Sequence, residues 1–203
     1  MSELQRFRAG KDRFFAEDPD SPLTPAQKHH FKGLHYFPEN RALRLELAVE
    51  EFPEKATVKM QTTTGAIQTY ERFGRIKFSV EGQEVALTVF ASEDGFFLPF
   101  ADSLAGVETY GAGRYLEPEP AGKGKFLVDF NYAYNPYCAY NEAWSCPITP
   151  PENRLKAPIR AGETAYHGRG RGLIDSHTTV PSRLFTGLTF EAEPVGVSEE
   201  RSE

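Results

Sequence analysis

Residues 129–155 read DFNYAYNPYCAYNEAWSCPITPPENRL. Six aromatic residues, four asparagines, four prolines and both cysteines of the chain fall in this one stretch. Three kinds of chemistry could come from it. Cys138 is a candidate nucleophile, because a thiolate beside a base or a positive field attacks electrophiles. Asp129 and Glu152, with Glu163 further on, could supply an acid and a base for hydrolysis. The third is ligand binding. Tyr110, Arg114 and Tyr115 in ETYGAGRYL, together with Arg154 in PPENRL, offer flat rings and guanidinium forks that clamp a carboxylate or phosphate.

Each residue type also has a plainer use. Tyrosine favours half-buried positions where its hydroxyl finds a partner. Asn131, Asn135, Asn141 and Asn153 are costly to bury unless hydrogen-bonded. Arg114 and Arg154 could pair with Asp129, Glu108 or Glu152 and fix loops. The cysteines could be buried fillers, a reactive thiol, or a Cys138–Cys146 disulfide. A structural zinc site fails on spacing, since the cysteines are eight apart and the histidines at 29, 30, 35, 167 and 177 lie far off. No metal and no cofactor is predicted.

These residues give a leading expectation: a pocket for a small polar or anionic ligand. Tyr110, Arg114 and Tyr115 form one wall. Asp129, Asn131, Tyr134, Asn135 and Cys138 form the other, held by Glu152, Asn153 and Arg154. Asn135-Pro136 and the prolines at 147, 150 and 151 stiffen the loop that carries them. Two alternatives stand beside it. One is a hydrolase or transferase using Cys138 or an Asp129/Glu152 pair. The other is a structural or interaction module whose loops only close the fold.

Something must position these loops. From residue 41 the pattern has period two: residues 43–50, 56–63, 66–73, 75–80 and 84–90 alternate apolar and polar. Glu81-Gly82 and Asp94-Gly95 are hairpin turn signals, and residues 96–100 and 125–130 add strand-like runs. Many short alternating strands predict a mainly β fold, an antiparallel barrel-like or strongly curved sheet. Short helices precede it. Leu4, Phe7, Phe14 and Phe15 fit one helical face. Thr24-Pro25-Ala26-Gln27 reads as N-cap, first-turn proline and capping-box glutamine, with Gly33 as the stop. The expected organisation is a helical segment over residues 1–33, a β domain over 34–191 with strands near 172–174 and 184–190, and a disordered acidic tail over 192–203.

Composition narrows the partners. The 203 residues carry a net charge of −6, and 39% are hydrophobic. Phosphate-backbone binding needs a basic face, so nucleic acid is not expected. The short GRGRG run at 168–172 does not offset that acidity. The amino-terminal MSELQRFRAGKDRFF has no signal-peptide core, and no run approaches the apolar length of a membrane helix. A cytoplasmic chain with reduced thiols is the expectation; oligomeric state is open.

The motifs KDRFF, SPL, FKGLHYFP, ETYGAGRYL, DFNYAYNPYCAYN, SCPITPPENRL and PIRAGE together resemble the bacterial and archaeal family called domain of unknown function 1684. The resemblance runs roughly from Arg6 to Glu163. It implies membership and brings no activity, ligand or catalytic residue. Many relatives look exported or lipid-anchored, and that does not carry over to this chain.

Overall fold

In the computed structural model, which describes residues 1–166, the first element is α1, Glu3–Glu17. Its start is fixed by a capping box: Ser2 Oγ accepts from Gln5 N–H and Gln5 reaches back to Ser2 N–H. Leu4 and Phe15 are buried, whereas Phe7 stays 39% exposed. The helix α2, Pro25–His30, starts at the Thr24–Gln27 capping box read from the sequence. It stops at His30 rather than running to Gly33. Gly33 instead sits at φ +108° with its backbone against Asp12, and Leu34 N–H donates to Asp12 Oδ1 at 2.9 Å.

The sheet is antiparallel and barrel-like. Its strands are β1 (Arg44–Glu51), β2 (Thr57–Gln61), β3 (Ile67–Val80), β4 (Gln83–Ser92), β5 (Gly95–Phe97), β6 (Glu119–Gly122) and β7 (Lys125–Asp129). The order is β5-β4-β3-β1-β7-β6, with β2 also pairing β3. The two runs expected at 66–73 and 75–80 are one long strand, bent by a bulge between Arg72 and Gly74. Glu81 and Gly82 both take positive φ, +48° and +78°, the signature of a type I′ hairpin turn. Ile76, Phe78, Val80, Leu87, Val89, Val128 and Phe130 fill the interior.

The ETYGAGRYL segment helps close the barrel. Leu98 and Phe100, just past β5, exchange backbone hydrogen bonds with Leu116 and Arg114. Tyr115 then pairs with Tyr134, in the chain that follows β7. The path from β5 therefore returns towards β7 through bridges rather than a full strand. Gly113 makes this possible. Its φ is +106°, and a Cβ there would lie 2.3 Å from Thr149 Oγ1.

The strands expected near 172–174 and 184–190 and the tail at 192–203 lie outside the described residues.

Candidate functional site

The α1 helix faces the chain over 132–147 across a cleft of about 1000 Å³. Phe7, Phe14 and Phe15 line one side; Tyr115, Tyr132, Tyr134, Tyr137 and Trp144 line the other. The rings hold each other in place. Phe7 and Tyr132 meet edge to face at 4.9 Å, and Tyr137 and Trp144 at 5.0 Å. Five charged residues border the cleft: Glu3, Arg6, Lys11, Glu117 and Glu119.

Most donors in the wall are already used. Lys11 Nζ is 2.5 Å from Glu163 Oε1 and 4.6 Å from the centre of the Tyr134 ring. Glu163 is 1% exposed, and its Oε2 accepts from Asn135 N–H at 2.8 Å and Tyr140 O–H at 2.5 Å. Tyr134 O–H donates to Glu117, and Tyr115 O–H to the Pro147 carbonyl. Burial, then the Glu117 carboxylate, pushes the Tyr134 phenol far above its ordinary pKa. Burial and then the neighbouring Cys146 do the same to Tyr115. Both phenols stay protonated, and both protons are engaged, Tyr134's by the exposed Glu117 at the rim and Tyr115's by the Pro147 carbonyl. Beside ring faces and carboxylate acceptors, the cleft keeps the Arg6 guanidinium and the Tyr132 and Tyr137 hydroxyls.

One residue of the α1 wall has no side chain. Gly10 lines the cleft, and a Cβ built there meets nothing within 4 Å. A glycine in a helix interior costs roughly 0.5–1 kcal/mol relative to alanine. Here it keeps space open.

The two thiols pack against Tyr115 of this wall. Both are free and buried. Cys138 N–H donates to Cys146 Sγ at 3.2 Å, and Tyr110 Oη lies 3.7 Å from Cys138 Sγ. The hydrogen bond from the Cys146 thiol draws the Cys138 thiol down to about 6; Tyr110 and Thr63 assist and burial opposes. The same contact pushes Cys146 up. Cys146 also borders the cleft.

The family model described as Protein of unknown function (DUF1684) matches residues 29–164. The chain belongs to this family. The solution NMR structure of an uncharacterized protein of Haloarcula marismortui is similar: 35% identical, TM-score 0.63, covering 80% of this chain and 92% of that one. Comparison with curated proteins found no match. In this DUF1684 member, Glu163 and the aromatic wall fall inside the matched span, while α1 with Lys11 and Gly10 precedes it.

Of the residues singled out in the sequence, Tyr115 and Tyr134 line the cleft of this DUF1684 chain. Cys146 borders it too, and Tyr110 and Cys138 pack with Tyr115 and Cys146 in one cluster. The others hold the loops. Arg114 is 1% exposed and donates to the carbonyls of Ile159, Ala161 and Glu163 and to Asp102 Oδ2 at 2.7 Å. Its partner is thus Asp102, not Asp129, Glu108 or Glu152. Asp129 accepts from Asn131 and pairs with Arg44 at 3.3 Å. Glu152 pairs with Arg72 at 2.5 Å and accepts from Thr88 Oγ1. Each carboxylate of the suggested acid–base pair thus holds its own arginine.

The buried asparagines substitute for backbone. Asn153 Oδ1 accepts Thr88 N–H, and its Nδ2 donates to the Thr88 and Pro99 carbonyls. Asn131 brackets Asn40 through both its amide atoms. Asn135 Nδ2 donates to the Thr164 carbonyl. Arg154 lies on the surface.

Sequence reasoning passed over Lys11, Gly10, Glu117 and Trp144 as site residues. Lys11 and Gly10 sit among the charges of an ordinary amphipathic helix. Lys11 and Glu163 lie in the KDRFF and PIRAGE motifs that carry the family resemblance, the one signal in the sequence that could have marked them.

No described helix is long and apolar enough to cross a membrane.

Proposed function

We propose that the protein binds a small ring-bearing molecule with an amine or similar donor group in the cleft between α1 and the 132–147 wall. The observation that carries this reading is the cleft itself. It is aromatic on both sides, and its Lys11 ammonium and its Tyr115 and Tyr134 hydroxyls are spent internally. Rings favour a flat apolar body. With Lys11 paired to Glu163, the carboxylates Glu3, Glu117 and Glu119 outnumber Arg6 and favour a cationic or donor-rich end, and a cation is also attracted to the ring faces. The two arginines expected to anchor an anion do not line this cleft: Arg114 is engaged in the core, and Arg154 lies elsewhere on the surface.

The test is titration of the full chain with phenethylamine and, in parallel, 3-phenylpropanoate, followed by ligand-observed NMR. Saturable binding of the amine in preference to the acid supports the reading. Equal binding, or preference for the acid, overturns it. The enzyme alternative has a nucleophile in Cys138. Among the described residues, however, no histidine hydrogen-bonds to it, and its neighbours are Cys146 and Tyr110.

A further inference from the structure

We propose that Cys138 and Cys146 are a dithiol that a hydroperoxide converts into an intramolecular disulfide, making this pair an oxidative modification site.

The geometry is that of an attacking and a resolving thiol held together before oxidation. The backbone N–H of Cys138 donates to Cys146 Sγ at 3.2 Å, which places the second sulfur against the first residue. Tyr110 Oη, 3.7 Å from Cys138 Sγ, supplies a hydroxyl donor to a thiolate there. Thr63 Oγ1 accepts Cys146 N–H at 3.2 Å and fixes the second strand of the contact. The loop between the cysteines is pinned at its far end as well: Thr63 N–H donates to the Cys146 carbonyl at 2.9 Å. Both thiols are nearly buried, at 7% and 6% exposure, yet Cys146 is part of the cleft wall and gives a small oxidant a route in.

These contacts also assign the order of events. The Cys146 thiol and the Tyr110 hydroxyl, 3.7 Å from Cys138 Sγ, both draw the Cys138 thiol down, so Cys138 is assigned the attack and Cys146 the resolution. The Cys138 thiolate attacks one oxygen of the hydroperoxide. An S–O bond forms, the O–O bond breaks, and the leaving alkoxide or hydroxide takes a proton from solvent. The Cys146 sulfur then attacks the sulfenic sulfur. The S–S bond forms, the S–O bond breaks, and water leaves with the proton of the Cys146 thiol. Two thiols are oxidised, one peroxide is reduced, and an external thiol reverses the change. A second thiol in contact with the first residue intercepts the sulfenic acid before it goes on to sulfinic acid.

The plainer account makes both residues small core fillers. The experiment separates the two. The native full chain is treated with a slight excess of hydrogen peroxide, unfolded in N-ethylmaleimide, and weighed intact. The proposal predicts a monomer lighter by two hydrogens, with no thiol labelled, and full labelling after dithiothreitol. Both thiols still labelled, under conditions that oxidise a free-cysteine peptide in the same tube, would overturn it; so would disulfide-linked dimers. In Cys146→Ser, dimedone should trap a sulfenic acid at Cys138. An adduct confined to Cys146 in Cys138→Ser overturns the order of attack. The wild-type mass decides the main point even where a variant fails to fold.

Discussion

Lys11 and Glu163 meet at 2.5 Å across the joint between α1 and the last described segment. The contact has one nearly buried partner, since the Glu163 side chain is 1% exposed and that of Lys11 14%. Asn135 and Tyr140 complete the carboxylate's shell. The pair therefore does two things. It docks α1, and it removes the only lysine bordering the cleft from ligand binding.

Removing one side of this pair strands a buried charge, which costs on the order of 3–5 kcal/mol. Lys11→Met should lower stability by about that amount. The double variant Lys11→Met/Glu163→Gln should cost clearly less than the sum of the single changes, because the stranded charge is gone. Urea unfolding of the four proteins measures the coupling. Additive effects would mean that the ion pair is not what seats the helix.

Much of the fold was written locally. The Thr24–Gln27 capping box, the period-two runs and the Glu81-Gly82 turn each depend on residues a few positions apart, and each is found. The site was only partly legible. The asparagines and Arg114 looked like ligand-binding residues because their chemistry suits that role. Their partners come from distant positions: Thr88 for Asn153, Asn40 for Asn131, Asp102 for Arg114. A buried polar side chain looks the same in sequence whether it faces a ligand or a stray carbonyl. The cleft itself depends on where α1 packs, and no short pattern encodes that.

Arg114 is a pin of the fold, and its variants should behave accordingly. Arg114→Met leaves the buried Asp102 without its arginine and takes one donor from each of the Ile159, Ala161 and Glu163 carbonyls. The expected result is a fall in Tm on the order of 10 °C. An unchanged Tm would show that the guanidinium does not hold Ile159, Ala161 and Glu163 in place.

Gly10 separates helix stability from cleft function. Gly10→Ala should stabilise the protein by roughly 0.5–1 kcal/mol, because the site is helical and a Cβ meets nothing there. Gly10→Phe should fold as well as the parent and fill the cleft. Thermal unfolding checks the first claim, and a destabilised Gly10→Ala would contradict it.

Cys138 should show its ionisation in its reactivity. Its thiol lies below the ordinary range, so the thiolate is present above a pH of about 6 and is lost as pH falls through that value. Iodoacetamide labelling should rise through pH 6 and level off, instead of climbing towards the pKa of a free cysteine at about 8.5. The groups facing this sulfur are Cys146, Tyr110 and Thr63. Tyr110→Phe removes one donor and should move the inflection upward. A profile that tracks free cysteine would mean that the two thiols do not share a proton.

Trp144 is the only tryptophan of the chain, and it lines the cleft at 38% exposure. Its fluorescence during a phenethylamine titration, in the parent and in Gly10→Phe, tests the binding account most directly. A saturable change in the parent, absent with 3-phenylpropanoate and abolished in Gly10→Phe, is the predicted result. No saturable change in the parent, or the same change in folded Gly10→Phe, would contradict a ligand seated between α1 and the aromatic wall.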